Sequence, residues 1–164
     1  MFARISKIAM TLCLGAFAAL VSFTNITDYG GNWPFVMHVL SMDTTFHDPA
    51  TAYRAIHESG LWQVGYALII AGESLTAVLM LAAAWRMLAA LRAEAVVFNR
   101  SKALLHLAAL SGFLVWFLGF MVVGGEWFQM WQSHIWNGQD AAFKFYVTIL
   151  LVLIYVIQPD GEVA

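Results

Sequence analysis

Charge is what this sequence has least of. Of 164 residues only 11% are Asp, Glu, Lys or Arg, and 8 basic side chains stand against 10 acidic ones, a net charge of −2. Soluble domains carry about 25% charged residues. A basic nucleic-acid-binding face is excluded, and so is the charge-rich, apolar-poor composition of a disordered chain. Cysteine is nearly absent. Cys13 stands alone, so no intramolecular disulfide and no Cys-x-x-Cys metal or haem-attachment motif can exist. Glycine-rich phosphate loops, nucleophile elbows, internal repeats and charge-rich linkers are also missing. What fills the chain instead is apolar: 62% of it, against roughly 45–50% in soluble domains. Mean hydropathy is +0.75. A water-soluble fold of this size cannot hide that much apolar surface, which leaves an integral membrane protein.

A spanning helix needs roughly 20 mostly apolar residues to cross a hydrocarbon core of about 30 Å. Four segments meet or approach this: about 5–26, 61–85, 104–123 and 141–157. The fourth is shorter and carries Lys144, whose amine can snorkel from one turn inside the boundary. Each stretch is apolar on every face and lacks the alternation of a spanning strand. The expected fold is all-α, a four-helix membrane bundle forming one domain over 1–164. Arg4 and Lys7 precede the first span, and Arg86, Arg92, Arg100 and Lys102 lie in the connection 86–103, against Arg54 and Lys144 elsewhere. The positive-inside rule then puts both termini and the 86–103 loop in the cytoplasm, with loops 27–60 and 124–140 outside. The first span reads as an uncleaved anchor, since its apolar run from Ile8 to Phe23 is slightly long for a signal peptide and no small-residue cleavage site follows.

The outer loops carry local signals. Asn32 is placed to cap a short helix over 33–42, with Pro34 in its first turn. Asp48, Pro49 and Gly60 suggest an N-cap, a first-turn proline and a terminating glycine around a second short helix, with Tyr53 and His57 on one face and Arg54 paired with Glu58. Trp33, Trp62, Trp127, Trp131 and Trp136 all fall on the outer side, more than an interfacial belt requires. They suggest either a cap in which the two loops pack together or simple anchoring at the interface. Gly15 and Ala19, Gly65 and Gly72, and Gly112 and Gly119 are spaced by four or seven, as small residues at helix contacts are.

Glu73 is the most informative single residue. It falls at the midplane of the second span, where a charge costs at least about 2.5–3.5 kcal/mol. It is expected to carry its proton unless it finds a partner, with Ser74, Thr76, Thr11, Ser111 and Trp116 as candidates. Its alternative readings are a proton-carrying or ligand-binding carboxyl and a structural hydrogen bond between helices. On the outer side His38, Asp43, His47, His57, Glu126, Trp127, Trp131 and His134 form a candidate cluster. Imidazole and carboxylate suit Zn, Cu or Fe, but no His-x-x-x-His or His-Glu-x-x-His spacing is present. His106 is the one histidine inside a span, so a haem held by two histidines needs a second ligand from a partner chain. No cofactor is expected, with metal or haem as alternatives.

Certain strings are distinctive: Asn25-Ile26-Thr27-Asp28-Tyr29, the run from Asn32 to Phe46 (NWPFVMHVLSMDTTF), Gly124-Gly125-Glu126-Trp127-Phe128 leading to Met130-Trp131-Gln132-Ser133, and Trp136-Asn137-Gly138-Gln139. With them nearly the whole chain resembles a bacterial family of predicted small integral membrane proteins, a domain of unknown function. The resemblance implies a four-span protein of a bacterial inner membrane and implies no activity or catalytic residue. Three functional expectations follow. The first is a non-enzymatic accessory, assembly or interaction subunit of an envelope complex, meeting a membrane protein partner or a second copy of itself. The second is a small transporter or proton-coupled carrier using Glu73. The third is a redox or metal-binding subunit using the outer histidines.

Overall fold

In the computed structural model, residues 1–162 are described, and among them there is no strand. Helix α1 runs Phe2–Thr27 and α2 runs Tyr29–Ser41. Helix α3 runs Ser59–Ala89, followed by the short α4, Ala95–Ser101. Helix α5, Ala103–Phe113, continues without interruption as a π-helix over Leu114–Trp127. Helix α6 runs Gln139–Ile157. Four helical stretches are long and apolar enough to cross a membrane: Phe2–Thr27, Ser59–Ala89, Ala95–Trp127 and Gln139–Ile157.

Residues 1–7, the 86–103 connection and residues 158–162 meet at one end of the bundle, the terminal end. Residues 29–58 and 128–138 meet at the other, the cap end. Helices α1 and α3 form the most extensive pairing. They run antiparallel, and their contact is written in sequence. The buried face of α1 takes Arg4, Lys7, Ile8, Thr11, Gly15, Ala18, Ser22 and Asn25, at steps of three and four. The facing stripe of α3 takes Tyr66, Glu73, Met80 and Met87 at strict sevens, with Thr76, Ala77, Ala83 and Ala84 beside them. Spacing of this kind keeps one seam of each helix against its partner. Small residues let the backbones close. A Cβ added at Gly15 would lie 2.8 Å from Leu81, one at Gly72 would lie 2.5 Å from Val115, and one at Gly112 would lie 2.8 Å from Ile149.

The cap is a packed unit. Val39, Met42, Phe128 and Met130 form its buried apolar centre, with Phe35, Ile56 and Trp136 packed on it. Polar bonds tie the two loops: Thr44 Oγ1 donates to Ser133 Oγ at 2.9 Å, Phe46 N to Gln132 Oε1 at 2.8 Å, and Thr51 Oγ1 to Gln129 Oε1 at 3.0 Å.

Local signals fail here in two places. Asn32 caps nothing. Helix α2 already starts at Tyr29, Pro34 lies inside it, and the Asn32 amide turns into the bundle instead. The segment after Pro49 is not a ten-residue helix. Asp48 does accept from the Ala50 N–H at 2.9 Å, but the turn lasts only through Ala52–Arg54. Tertiary contacts win: the extended stretch from Ala55 lets Ile56 reach the cap core and donate its N–H to Leu40 O at 2.8 Å. Gly60 accordingly lies in the first turn of α3. Arg54 does not pair with Glu58; its guanidinium lies 4.9 Å from the Trp127 ring centre.

Candidate functional site

Helix α3 carries Glu73 near the centre of its 31 residues, on the stripe that faces α1. The side chain is 2% exposed. Asn25, near the end of α1, donates its Nδ2 to Glu73 Oε2 at 2.7 Å. The Asn25 carbonyl oxygen in turn accepts from Asn32 Nδ2 at 2.6 Å and from the Tyr66 hydroxyl at 3.2 Å. The orientation of the Asn25 amide is therefore fixed, with its oxygen toward two donors and its nitrogen toward the carboxyl. Glu73 Oε1 has no hydrogen-bond partner among the described residues. No lysine, arginine or histidine forms an ion pair with Glu73 among them either.

Beside Glu73 is a cavity of about 230 Å³, with the liquid volume of roughly eight waters. Asn25, Asn32, Tyr66 and Glu73 give it one polar wall, while Phe35, Trp116, Phe120 and Phe145 give it an aromatic one. The π-helix supplies half of that second wall: its i→i+5 pairing, visible where Phe128 N donates to Val123 O at 3.0 Å, places Trp116 and Phe120 on the chamber, with Phe35 from α2 and Phe145 from α6. π-Helical turns are rare and concentrate at functional sites. Asn32 is itself exposed, so the chamber reaches the surface beneath the cap.

The candidate partners for Glu73 are otherwise engaged. Ser74 Oγ bonds Ser22 Oγ at 2.6 Å, Thr76 Oγ1 bonds Ser111 Oγ at 2.9 Å, and Thr11 Oγ1 donates to Lys7 O at 2.9 Å. Trp116 lines the cavity with Glu73 without bonding it. Sequence reading missed Asn25, Asn32 and Tyr66. The available signal was the three-and-four spacing of polar residues on α1, which carries Asn25 onto the face that meets Glu73.

The outer cluster is only partly gathered. His38 Nδ1 lies 2.7 Å from Asp43 Oδ2, and its ring stacks on Trp136 at 4.7 Å between centroids. Trp127 packs edge-on to Tyr53 at 6.5 Å, and Trp131 edge-on to Phe46 at 5.9 Å. Asp43, His47 and His57 border a cavity of about 280 Å³ at the cap, whereas Glu126 and His134 lie exposed elsewhere. No group of three or more His, Cys, Asp or Glu among the described residues is placed to hold a metal ion. His106 is exposed at the terminal end, its Nδ1 3.3 Å from Ala103 O.

The terminal end holds a second polar centre. Asp160 accepts from Lys7 at 2.7 Å and also from Lys102, and all three side chains are at most 6% exposed. Both lysines also donate to Gln158 O at 2.7 Å. Burial pushes the Asp160 carboxyl up, but the hydrogen bonds from Lys102 and Lys7 outweigh it and hold it below the usual carboxylate range. Arg4, 1% exposed, donates Nη1 to Leu91 O at 3.0 Å and to Ala93 O at 2.6 Å, and Nη2 to Gly161 O at 2.9 Å, while its guanidinium lies 4.5 Å from the Phe98 ring centre. These bonds form a latch that pins the C-terminal segment under α1 and the 86–103 connection. Charge counting alone assigns these cations to topology; the latch gives Arg4, Lys7 and Lys102 a structural role.

No curated protein and no solved structure matches the chain. A family model described as "Predicted small integral membrane protein (DUF2165)" matches residues 3–159. With four apolar helices of spanning length and a model match over almost its entire length, the chain belongs to this family of multi-pass small integral membrane proteins of unknown function.

Proposed function

We propose that the protein is a small non-enzymatic carrier of a bacterial inner membrane, with the cap outside and Glu73 as the group that exchanges a proton or solute. The observation that supports this reading is the unpartnered Glu73 oxygen beside a cavity that touches exposed Asn32. A carboxyl at the centre of a span is costly, and such residues mark proton or solute paths. An ionised Glu73 has only the Asn25 amide to offset its charge, so the chamber must be neutralised by a proton or a guest. The cap lies over this chamber and the latch closes the far end, which favours exchange from the cap side.

The test is reconstitution of the full chain in liposomes with a trapped pH-sensitive dye and an imposed membrane potential. Wild-type vesicles should pass protons faster than empty ones, and Glu73→Gln should remove the excess. Equal rates in wild type, Glu73→Gln and empty vesicles would remove the reading.

One set of observations favours a second role, as an accessory or interaction subunit of an envelope complex. Phe46, Tyr53, Trp127, Trp131 and Ile135 are all exposed on the cap. Exposed apolar groups rimmed by polar ones mark interaction surfaces. Under this reading a partner co-purifies with wild type from gently solubilised membranes and is lost with the double variant Trp127→Ala/Trp131→Ala.

A further inference from the structure

The chamber around Glu73 is chemically particular, and the geometry points to a small organic ammonium ion as its guest. This inference rests on the chamber being a binding site and adds the class of ligand. The argument starts from charge. Among the described residues Glu73 is the only ionisable acid or base lining the cavity apart from the Tyr66 phenol, and its Oε1 is unengaged. A guest that satisfies it must bring positive charge or at least a hydrogen-bond donor.

A hard metal cation fits poorly. Such ions take about six to eight oxygen ligands. Here the Asn25 carbonyl oxygen is spoken for by Asn32 and Tyr66, and Glu73 Oε2 accepts from Asn25, which leaves one free carboxylate oxygen. A neutral alcohol fits better but leaves the carboxylate charge uncompensated. An ammonium head satisfies both demands, because N–H donated to an ionised carboxylate is among the stronger hydrogen bonds.

The rest of the wall suits what an ammonium carries. Trp116, Phe120 and Phe145 line the same space. Aromatic faces attract cations, most strongly where water is excluded, and they cover alkyl groups equally well. Trp116 is 2% exposed. The volume, about 230 Å³, lies below the roughly 300–1,000 Å³ of pockets for drug-sized molecules. It therefore suits a small alkylammonium better than a large aromatic cation. The amide hydrogen bonds of Asn25 hold Glu73 in place so that Oε1 faces the guest.

The experiment is calorimetric titration of the detergent-solubilised full chain with chloride salts of methyl-, ethyl-, propyl- and butylammonium. 1-Propanol and sodium chloride are the matched neutral and metal-ion probes. Saturable one-to-one binding of one or more ammonium ions is expected, with 1-propanol and sodium at least tenfold weaker. Glu73→Gln should lower ammonium affinity at least tenfold, and Glu73→Asp should keep binding with a preference for a longer alkyl chain. Trp116→Leu should weaken ammonium binding by roughly two- to thirtyfold, the range of a cation–π contact, with little effect on the alcohol. Should Glu73→Gln fail to fold, the Trp116→Leu comparison and the alcohol control decide the matter alone.

No ammonium binding to folded wild type, or equal affinity in Glu73→Gln, overturns the inference, as does sodium binding as tightly as propylammonium. Glu73-dependent proton flux without ammonium binding sinks the ligand class and leaves the carrier reading standing. Loss of both sinks both.

Discussion

Replacing Asp160 by Asn tests the latch at the terminal end. The substitution keeps the shape and removes the charge shared by Lys7 and Lys102. Side-chain exposure of the two lysines is 4% and 3%, so neither can turn to water without opening the contact. Removing one partner of a buried ion pair costs about 3–5 kcal/mol, because the other charge is left uncompensated. The low end applies here. Both lysines keep Gln158 O at 2.7 Å, and Lys102 keeps Asn99 Oδ1 at 2.8 Å. A cost of about 3 kcal/mol is roughly a hundredfold in the equilibrium for local opening. Hydrogen–deuterium exchange in detergent should therefore speed by about that factor in residues 95–102 and 158–162, with the Glu73 region of α3 little changed. The double variant Lys7→Gln/Asp160→Asn should recover part of the loss, since it removes one orphaned charge. Wild type makes the same point through pH. Asp160 is held below its ordinary range, so the latch is fully formed above the unfolded carboxylate value and is lost as pH falls through the lower folded one. Protection that is stable near neutrality and collapses only in strong acid is the expected profile. An Asp160→Asn protein with less than threefold faster exchange in these segments would refute the assignment of a shared buried counter-ion.

Four further outcomes follow from the packing and the chamber. Gly72→Ala places a Cβ 2.5 Å from Val115 and should cost about 1–3 kcal/mol by thermal unfolding in detergent, whereas Gly30→Ala, with nothing within 4 Å, should be neutral or stabilising. Asn25→Ala leaves Glu73 Oε2 without its donor and the Tyr66 hydroxyl with only the residue-25 main-chain oxygen at 3.4 Å, and should cost about 1–3 kcal/mol in the same assay, above exposed Asn32→Ala. His38→Ala removes the bond to Asp43 and the stack on Trp136, so limited proteolysis should cut faster at residues 43–47 and 134–137 with the spans untouched. Glu73→Gln keeps the bond to Asn25 while relieving a costly buried acid, so its thermal midpoint should equal or exceed that of wild type; a drop worth more than about 2 kcal/mol would assign Glu73 to the fold.

Much of the bundle is legible in the residues because lipid imposes one rule: every backbone polar group must be satisfied within the segment, so long apolar runs become helices. Glycine spacing in the spans likewise translates into contact, as at Gly15, Gly72 and Gly112. The cap is harder to read. Its tryptophan excess is equally consistent with interfacial anchoring and with the loop packing that the structure has, and Asp48-Pro49 and Asn32 carry turn and cap signals that tertiary contacts override. Ile56 gains more by reaching Val39 and Met42 than by continuing a helix. The Asn25 contact to Glu73 joins positions 48 residues apart, and the spacing of polar residues on α1 gives its face but not its partner. The latch is invisible for a related reason. A count of cations near span ends says on which side they lie, and only the path of the C-terminal segment brings Asp160 under Lys7 and Lys102.

The two polar centres of this bundle treat charge in opposite ways, and the contrast bears on function. At the terminal end three cations are almost fully enclosed, yet Arg4 finds three carbonyls and the two lysines share a carboxylate and a carbonyl. That arrangement suits holding segments together, because buried charges are tolerated where hydrogen bonds meet them. Along the same α1–α3 seam Glu73 receives one amide hydrogen bond and faces open space with its other oxygen. Glu73 joins α3 to α1 through Asn25 with one oxygen only, and the neighbouring α3 hydroxyls of Ser74 and Thr76 bond Ser22 and Ser111. Those hydroxyl pairs also fasten α1 to α3 and α3 to α5, so the acid is not the sole polar tie between these helices. What Glu73 adds is an unmet demand for a proton or a cation where the packed seam opens into a cavity.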